Sequence, residues 1–423
     1  MKKESSPTLQ PHPFHIMVKP TGAKCNLDCG YCYFLSKERM YPNSNFRMDD
    51  RLLETYIKQY IESQQYPEIT FSWQGGEPTL MGLDFFKQAV RYQQKYARPG
   101  TRILNTMQTN GTLLDKKWCS FFKKHGFLIG LSIDGPEEEH DAYRVSRQGK
   151  GSFNRVIKGW ELLRETGVEF NILCSVHAAN EDKPLEVYRF FRDKLKAVYI
   201  QFIPIVERAT SETLQLANSG WQDTNSKKRI LYTQTGNRVT DRSVSSSKYG
   251  DFLISIFDEW IRHDVGQIYV QIFDVALGSW FGQPGGLCIF SPTCGNAMAL
   301  EHNGDLFSCD HFVEPDYMLG NILDRDMAKL AASEKQLKFG ESKSTTLPEY
   351  CRRCDVKFAC HGGCPKNRFA QTPDGEPGLN YLCPSYKSFF EYIDRPMKTM
   401  SRLLRKRRPP AEIMELIAAK EDK

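Results

Sequence analysis

Thirteen cysteines stand in this 423-residue chain, and most of them fall into short-range groups. Cys25, Cys29 and Cys32 form Cys-x3-Cys-x2-Cys. Cys288, Cys294 and Cys309 come late, then Cys351, Cys354, Cys360 and Cys364, then Cys383. Thiolates at such spacings select iron–sulfur clusters or zinc. A cubane cluster has four irons, each needing one outer ligand. Three cysteines leave one iron open to a further ligand, whereas eight close two clusters completely. An open cluster can bind and activate a molecule. A closed one stores or passes electrons, or holds the fold together. A zinc ribbon is the alternative for Cys351 to Cys364, but three thiolates make a poor structural zinc site. Cys119 and Cys174 stand alone in apolar segments and read as core thiols.

The elements that must position these groups come from the hydrophobic pattern. Between Phe14 and Glu207, short apolar runs alternate with amphipathic stretches. The spacing predicts strands over His15–Lys19, Ile69–Trp73, Arg102–Gln108, Leu128–Ile133, Glu169–Val176 and Val198–Pro204. It predicts helices over Asp49–Ser63, Leu83–Tyr96, Asp115–His125, Ser152–Glu165 and Pro184–Lys194, with Asp49 and Asp115 where N-caps belong. Strands alternating with helices imply parallel β/α units. Six of them make a sheet curved toward a barrel, short of the eight of a closed one. Chemistry then belongs at the C-terminal strand ends, and the unusual loops lie there: Cys25 to Cys32, Gln74-Gly-Gly-Glu-Pro78, Thr109-Asn-Gly-Thr112, Ser132 with Asp134-Gly-Pro136, and Val206-Glu207.

The expected organisation is a barrel over 12–240, with a polar insertion or linker over 208–247. A cysteine-rich domain follows over 277–390. Residues 391–423 complete the chain with a C-terminal helix and basic tail; Pro384–Leu404 reads as a closing helix. Hydrophobic residues make up 40% and charged residues 26%, which argues against disorder. No apolar run is long enough for a membrane span. The N-terminus is polar, and a thiol-rich chain without an export signal fits the cytoplasm. The net charge of +6 is spread out, apart from Arg402 to Arg408, which reads as a solvated helix end; no nucleic acid and no membrane are expected as partners.

Cys25-x3-Cys29-x2-Cys32, with Tyr31 before the last cysteine, resembles the signature of the radical S-adenosylmethionine (radical SAM) enzymes. Gly75-Gly76-Glu77-Pro78 looks like their motif for the methionine amino group. The later cysteines resemble a SPASM domain. Within that group, Gln74-Gly-Gly-Glu-Pro-Thr-Leu80, Gln108-Thr-Asn-Gly-Thr112, Gly130-Leu-Ser-Ile-Asp-Gly-Pro136, Gln201-Phe-Ile-Pro204 and Cys309-Asp310 resemble the anaerobic sulfatase-maturating enzymes. The resemblance implies an α/β fold: a partial (β/α)6 TIM-like barrel followed by a SPASM domain with two iron–sulfur clusters. It implies three [4Fe-4S] clusters and S-adenosyl-L-methionine.

The resemblance also implies roles. Cys25, Cys29 and Cys32 would hold the open cluster, whose reduction of S-adenosylmethionine makes a 5′-deoxyadenosyl radical. Gly75 and Gly76 let backbone approach the cofactor, and the Glu77 carboxylate would accept from its ammonium. Ser132 and Arg144 would hold the ribose and carboxylate. Val206 would pack near the adenine, and Tyr31 would give a backbone contact. One auxiliary cluster would use Cys288, Cys294, Cys309 and Cys364, the other Cys351, Cys354, Cys360 and Cys383. Asp310 would be the base that takes the substrate's proton, with His311 as its rival, and Gln74 would face the substrate. The implied activity is oxidation of a Cys or Ser in a sulfatase Cys/Ser-x-Pro-x-Arg motif to Cα-formylglycine, with a flavodoxin or ferredoxin as electron donor. Thioether or carbon–carbon crosslinking of a ribosomal peptide is the alternative; the 24 residues before Cys25 are short for the recognition domain such enzymes carry.

Overall fold

The computed structural model describes residues 13–221, 229–283 and 286–421. The first residue of the expected barrel, the middle of the expected insertion, residues 284–285 and the end of the tail lie outside the described residues.

The alternating pattern folds as six β/α units: β1 (His15–Lys19), α1 (Asp50–Ser63), β2 (Glu68–Trp73), α2 (Leu83–Tyr96), β3 (Arg102–Thr109), α3 (Lys116–His125), β4 (Phe127–Ser132), α4 (Phe153–Thr166), β5 (Phe170–Val176), α5 (Pro184–Arg189) and β6 (Tyr199–Pro204). Local chemistry sets the helix ends. Asp49 and Asp115 cap α1 and α3 by accepting from the amides of Leu52 and Trp118, each at 2.8 Å. Gly126 and Gly167 close α3 and α4 in the left-handed conformation. On α1, Leu52, Leu53, Tyr56, Ile57, Tyr60 and Ile61 recur at helical spacing and are all buried. Each such side chain is worth about 2 kcal/mol of burial. The helix expected over Pro184–Lys194 loses its α geometry at Phe190 and finishes as a π turn.

The six strands pair in parallel and in order. Two more strands extend this run. After α6 (Lys248–His263), β7 (Tyr269–Val270) pairs in parallel with β6. From the cysteine-rich region, β8 (Ala297–Glu301) pairs in parallel with β1 over its whole length, from His15 opposite Ala297 to Lys19 opposite Glu301. β9 (Asp305–Phe307) and β10 (Met318–Asn321) follow antiparallel. The late cysteines therefore hang from the same ten-stranded sheet that carries the first cysteine loop. One apolar cluster likewise runs from Leu131 and Ile172 through α6 to Phe389 and Met400.

The closing segment is two helices, α8 (Cys383–Tyr392) and α9 (Asp394–Arg405), where a single one was expected. Pro396 has no amide hydrogen to bond the preceding turn, so the helix restarts at Asp394. Between them in sequence and β10 lies α7 (Glu334–Thr345).

The stretch after β6 is tied down at its base. Glu207, nearly fully buried, accepts from Arg242 Nε (2.9 Å), Thr240 Oγ1 (2.9 Å) and Trp221 Nε1 (3.0 Å). Arg242 in turn caps the carbonyls of Ala217 and Asn218. Replacing Arg242 by Met would strand the buried Glu207 charge, and anaerobic urea denaturation should register a loss of about 3 kcal/mol or more. A loss under about 1 kcal/mol would show that the pair is solvated.

Candidate active site

β1 ends at Lys19, and the chain then loops through Cys25, Cys29 and Cys32. The second loop, after β2, grips the first. Gly76 N donates to Gly22 O (2.8 Å) and Glu77 N to Lys24 O (2.9 Å). The fit is tight enough to demand glycine: a Cβ on Gly76 would lie 2.0 Å from the Lys24 carbonyl oxygen. Gly75 has φ +122°, open to glycine almost alone. The far side of the cysteine loop is held by the segment after β4. There Asp28 N and Gly30 N donate to Val145 O and Tyr143 O, and Arg147 Nε donates to Cys25 O at 3.0 Å. Arg229, from the tethered stretch after β6, donates to Cys32 O (3.1 Å), Cys29 O (3.2 Å) and Asp28 Oδ1 (2.6 Å).

The Glu77 carboxylate is buried between two loops. Oε1 accepts from Thr79 N, Thr79 Oγ1 and Thr109 Oγ1 at 2.7–3.0 Å, and Oε2 accepts from Asn110 N at 2.8 Å, which leaves that oxygen a further lone pair. The side chain ties the loop after β2 to the loop after β3.

Asp134, just beyond β4, collects a buried charge network. It accepts from Tyr31 Oη (2.5 Å), Arg144 Nε (2.8 Å) and Ser175 N (2.9 Å), with His177 Nε2 at 3.4 Å. Burial pushes its carboxyl up, but Arg144 and His177 outweigh that and hold it well below the usual carboxylate range. Arg144 is thus oriented by Asp134, with an Nη atom 3.4 Å from Ser175 Oγ. Ser132 closes β4 and is buried, as is Val206 just after β6. Gln74 is half-buried and donates its amide to Gln108 Oε1 (2.8 Å), so these two amides form one unit between β2 and β3.

The late cysteines gather into two groups. Cys288, Cys294 and Cys309 each feel Cys364. Cys360 and Cys383 each feel Cys351 and Cys354. Those last four thiols line one cleft together with Tyr350, Lys357, Asn380 and Lys387. Among the described residues no three ligand-type side chains converge as they do round one metal ion. Four thiols facing one cleft are the ligand set of a cubane cluster. Burial pushes the thiols of Cys29, Cys294, Cys360 and Cys383 up to about 12. Cys364 is the exception: burial pushes it up, but the hydrogen bond from His311 and the charges around it bring it to about 7. His311 is therefore engaged with a thiol.

Asp310 follows Cys309, and its side chain is 15% exposed. Its carboxylate pairs with Lys19, the last residue of β1, and accepts from Tyr33 Oη at 3.3 Å. Lys19 is itself buried, with its ammonium 4.2 Å from the centre of the Phe34 ring. Burial opposes ionisation of Asp310, but Lys19, His311 and Tyr33 lower its carboxyl below the ordinary value. Lys19, Asp134, His177 and Arg229 escaped the sequence reading. Lys19 and Arg229 act across long sequence separations that no local pattern reports, while Asp134 lay inside a noted motif without a role.

Two family models match: the radical SAM superfamily over residues 20–191, and the SPASM iron–sulfur cluster-binding domain over 288–355. The chain is 46% identical to a serine-type anaerobic sulfatase-maturating enzyme of Bacteroides thetaiotaomicron, over 96% of this chain and 95% of that one. It is 32% identical to a cysteine-type anaerobic sulfatase-maturating enzyme of Clostridium perfringens, over 90% and 96%. The solved structure of native anSMEcpe with bound AdoMet matches with TM-score 0.78 and 31% identity, over 92% of this chain and 100% of that one. The same protein with AdoMet and the Cp18Cys peptide matches at 0.77, over 93% and 100%. The two domains imply [4Fe-4S] clusters and S-adenosylmethionine.

Two outcomes follow. Gly76→Ala should force Lys24 aside and cost the first cluster, so iron analysis should fall by about one-third, the share of one cubane in three, with far-UV circular dichroism unchanged. Gly278→Ala, where the added methyl meets nothing within 4 Å, is the control. Because most of these thiols start protonated, cluster assembly must expel protons; anaerobic iron uptake should weaken as pH falls from 8 to 6, and a flat profile would contradict the raised thiols.

Proposed function

The chain belongs to the anaerobic sulfatase-maturating enzymes, a branch of the radical SAM superfamily with a SPASM domain, and from that premise we propose that it oxidises a serine of a sulfatase Cys/Ser-x-Pro-x-Arg motif to Cα-formylglycine. Serine is favoured over cysteine by the higher identity to the serine-type relative, 46% against 32%. S-adenosylmethionine, when bound at the open iron and reduced, supplies the 5′-deoxyadenosyl radical that takes a hydrogen atom from the substrate Cβ.

The residues of the chain do the rest. Cys25, Cys29 and Cys32 hold the first cluster and leave one iron free. Gly75 and Gly76 let the backbone approach the cofactor, and Glu77 meets its amino group. Arg144 and Ser132 meet its carboxylate and ribose, and Val206 its adenine, with Tyr31 contributing backbone. Gln74, paired with Gln108, faces the peptide. Cys288, Cys294, Cys309 and Cys364 hold one auxiliary cluster; Cys351, Cys354, Cys360 and Cys383 hold the other.

Forming the aldehyde also requires loss of the hydroxyl proton and of one further electron. The single observation that carries this reading is Asp310: a largely buried carboxylate, kept ionised by Lys19, on the loop that leads from a cluster cysteine. It takes the proton, and the cluster that Cys309 would help hold would supply an acceptor for the electron. A flavodoxin- or ferredoxin-like donor supplies the reducing electron, and the sulfatase is modified in the cytoplasm as an unfolded or nascent chain. No helix among the described residues is long and apolar enough to cross a membrane.

Asp310→Asn should lower aldehyde formation on a Ser-x-Pro-x-Arg peptide by about 10²-fold or more, while 5′-deoxyadenosine still forms. Mass spectrometry of hydrazine-trapped peptide and of the nucleoside reads both. Aldehyde at the wild-type rate would remove Asp310 from the chemistry. A crosslinked peptide in place of an aldehyde would move the enzyme to the alternative class.

A further inference from the structure

Two of the cations among the late cysteines spend their donors on backbone carbonyls. Lys343, near the end of α7, is entirely buried. Its ammonium donates to two backbone carbonyls, Cys288 O at 2.5 Å and Ile289 O at 3.0 Å. Arg368 is half-buried and spends its guanidinium on carbonyls as well: Gly362 O (3.0 Å), Lys343 O (2.5 Å), His361 O (2.9 Å) and Gly363 O (3.3 Å). Among the described residues neither pairs with a carboxylate. The opposing charges that act on them are thiols. Lys343 feels Cys288, Cys294 and Cys364, all of one group. Arg368 feels Cys294 and Cys364 of that group and also Cys351 and Cys360 of the other.

A buried cation held by carbonyl dipoles alone is costly unless an anion sits close by. A cubane carrying four thiolates is such an anion, and each added electron makes it more negative. A fixed cation stabilises the reduced form more than the oxidised one and so raises the potential. The effect falls with distance. We infer that Lys343 and Arg368 are the counter-charges of the two auxiliary clusters, that Lys343 raises the potential of the Cys288/Cys294/Cys309/Cys364 cluster alone, and that Arg368, standing between the groups, raises both. The cluster nearer Asp310 thereby answers to Lys343 and Arg368 together, with Lys366 also beside Cys364 and Cys309, and becomes the better electron acceptor of the pair. This rests on the reading that the eight cysteines hold two clusters.

The test is an anaerobic redox titration of the iron-loaded full chain, followed by electron paramagnetic resonance, with Lys343→Gln and Arg368→Gln. Glutamine keeps a donor for the carbonyls and removes the charge. Lys343→Gln should lower the midpoint potential of one auxiliary cluster and leave the other. Arg368→Gln should lower both, and the first cluster should titrate as in the wild type in each. Lys343→Arg should restore the wild-type potential. Fully loaded variants with unshifted potentials would overturn the inference, as would equal shifts in all three clusters. If Lys343→Gln fails to take up iron, Lys343→Arg decides: recovery of iron assigns the need to charge, and failure assigns it to shape and overturns the inference. A wild-type protein lacking auxiliary-cluster signals would instead remove the two-cluster reading itself.

Discussion

The ion pair between Lys19 and Asp310 joins the first strand to the loop that carries Cys309. Everything in the proposed chemistry passes near it. Lys19 is the last residue before the loop of Cys25, Cys29 and Cys32, and Asp310 is the first after a cysteine of the late group. Two ions buried together stay only if each satisfies the other, so the pair is a distance constraint between the two ends of the site. The parallel pairing of β8 on β1 makes it possible, by setting the cysteine-rich segment one strand away from the first loop. Tyr33 and Phe34, directly after Cys32, complete the wall around it.

The rest of the site follows one rule: each buried charge is committed before any ligand arrives. Glu77 is tied to Thr79, Thr109 and Asn110. Asp134 holds Tyr31 and Arg144. Glu207 and Arg242 anchor the stretch that delivers Arg229 to the cysteine loop. Preorganisation of this kind suits radical chemistry, in which a loosely held group would be the first thing oxidised, and it places reaction geometry in the scaffold. Lys343 and Arg368 depart from the rule, since their partners are the cysteines and what those cysteines hold.

Much of this was legible in the chain. Period-2 and period-3.6 patterning locates the six strands and the first four helices to within a residue or two, because each buries one face on a shared core. The caps at Asp49 and Asp115 are local chemistry and read directly. Cysteine spacing announces the clusters. What sequence could not carry was long-range: that β8 would pair with β1, or that Lys19 would find Asp310 and Arg229 the carbonyls of Cys29 and Cys32. Glu77 was legible as a motif residue, but its ties to Thr109 and Asn110 on the next loop were not. The closing helix was drawn through Pro396 because its apolar stripe continues across the break at Ile393.

The pairing of β1 with a strand some 280 residues further on has a consequence for biosynthesis. On the ribosome, the N-terminal edge of the sheet stays uncovered until more than two-thirds of the chain has been made. A cluster inserted early at Cys25, Cys29 and Cys32 would sit beside that bare edge, open to oxygen and to stray chelators. Metallation therefore belongs after translation, when the last-made third of the polypeptide has folded back and sealed the first.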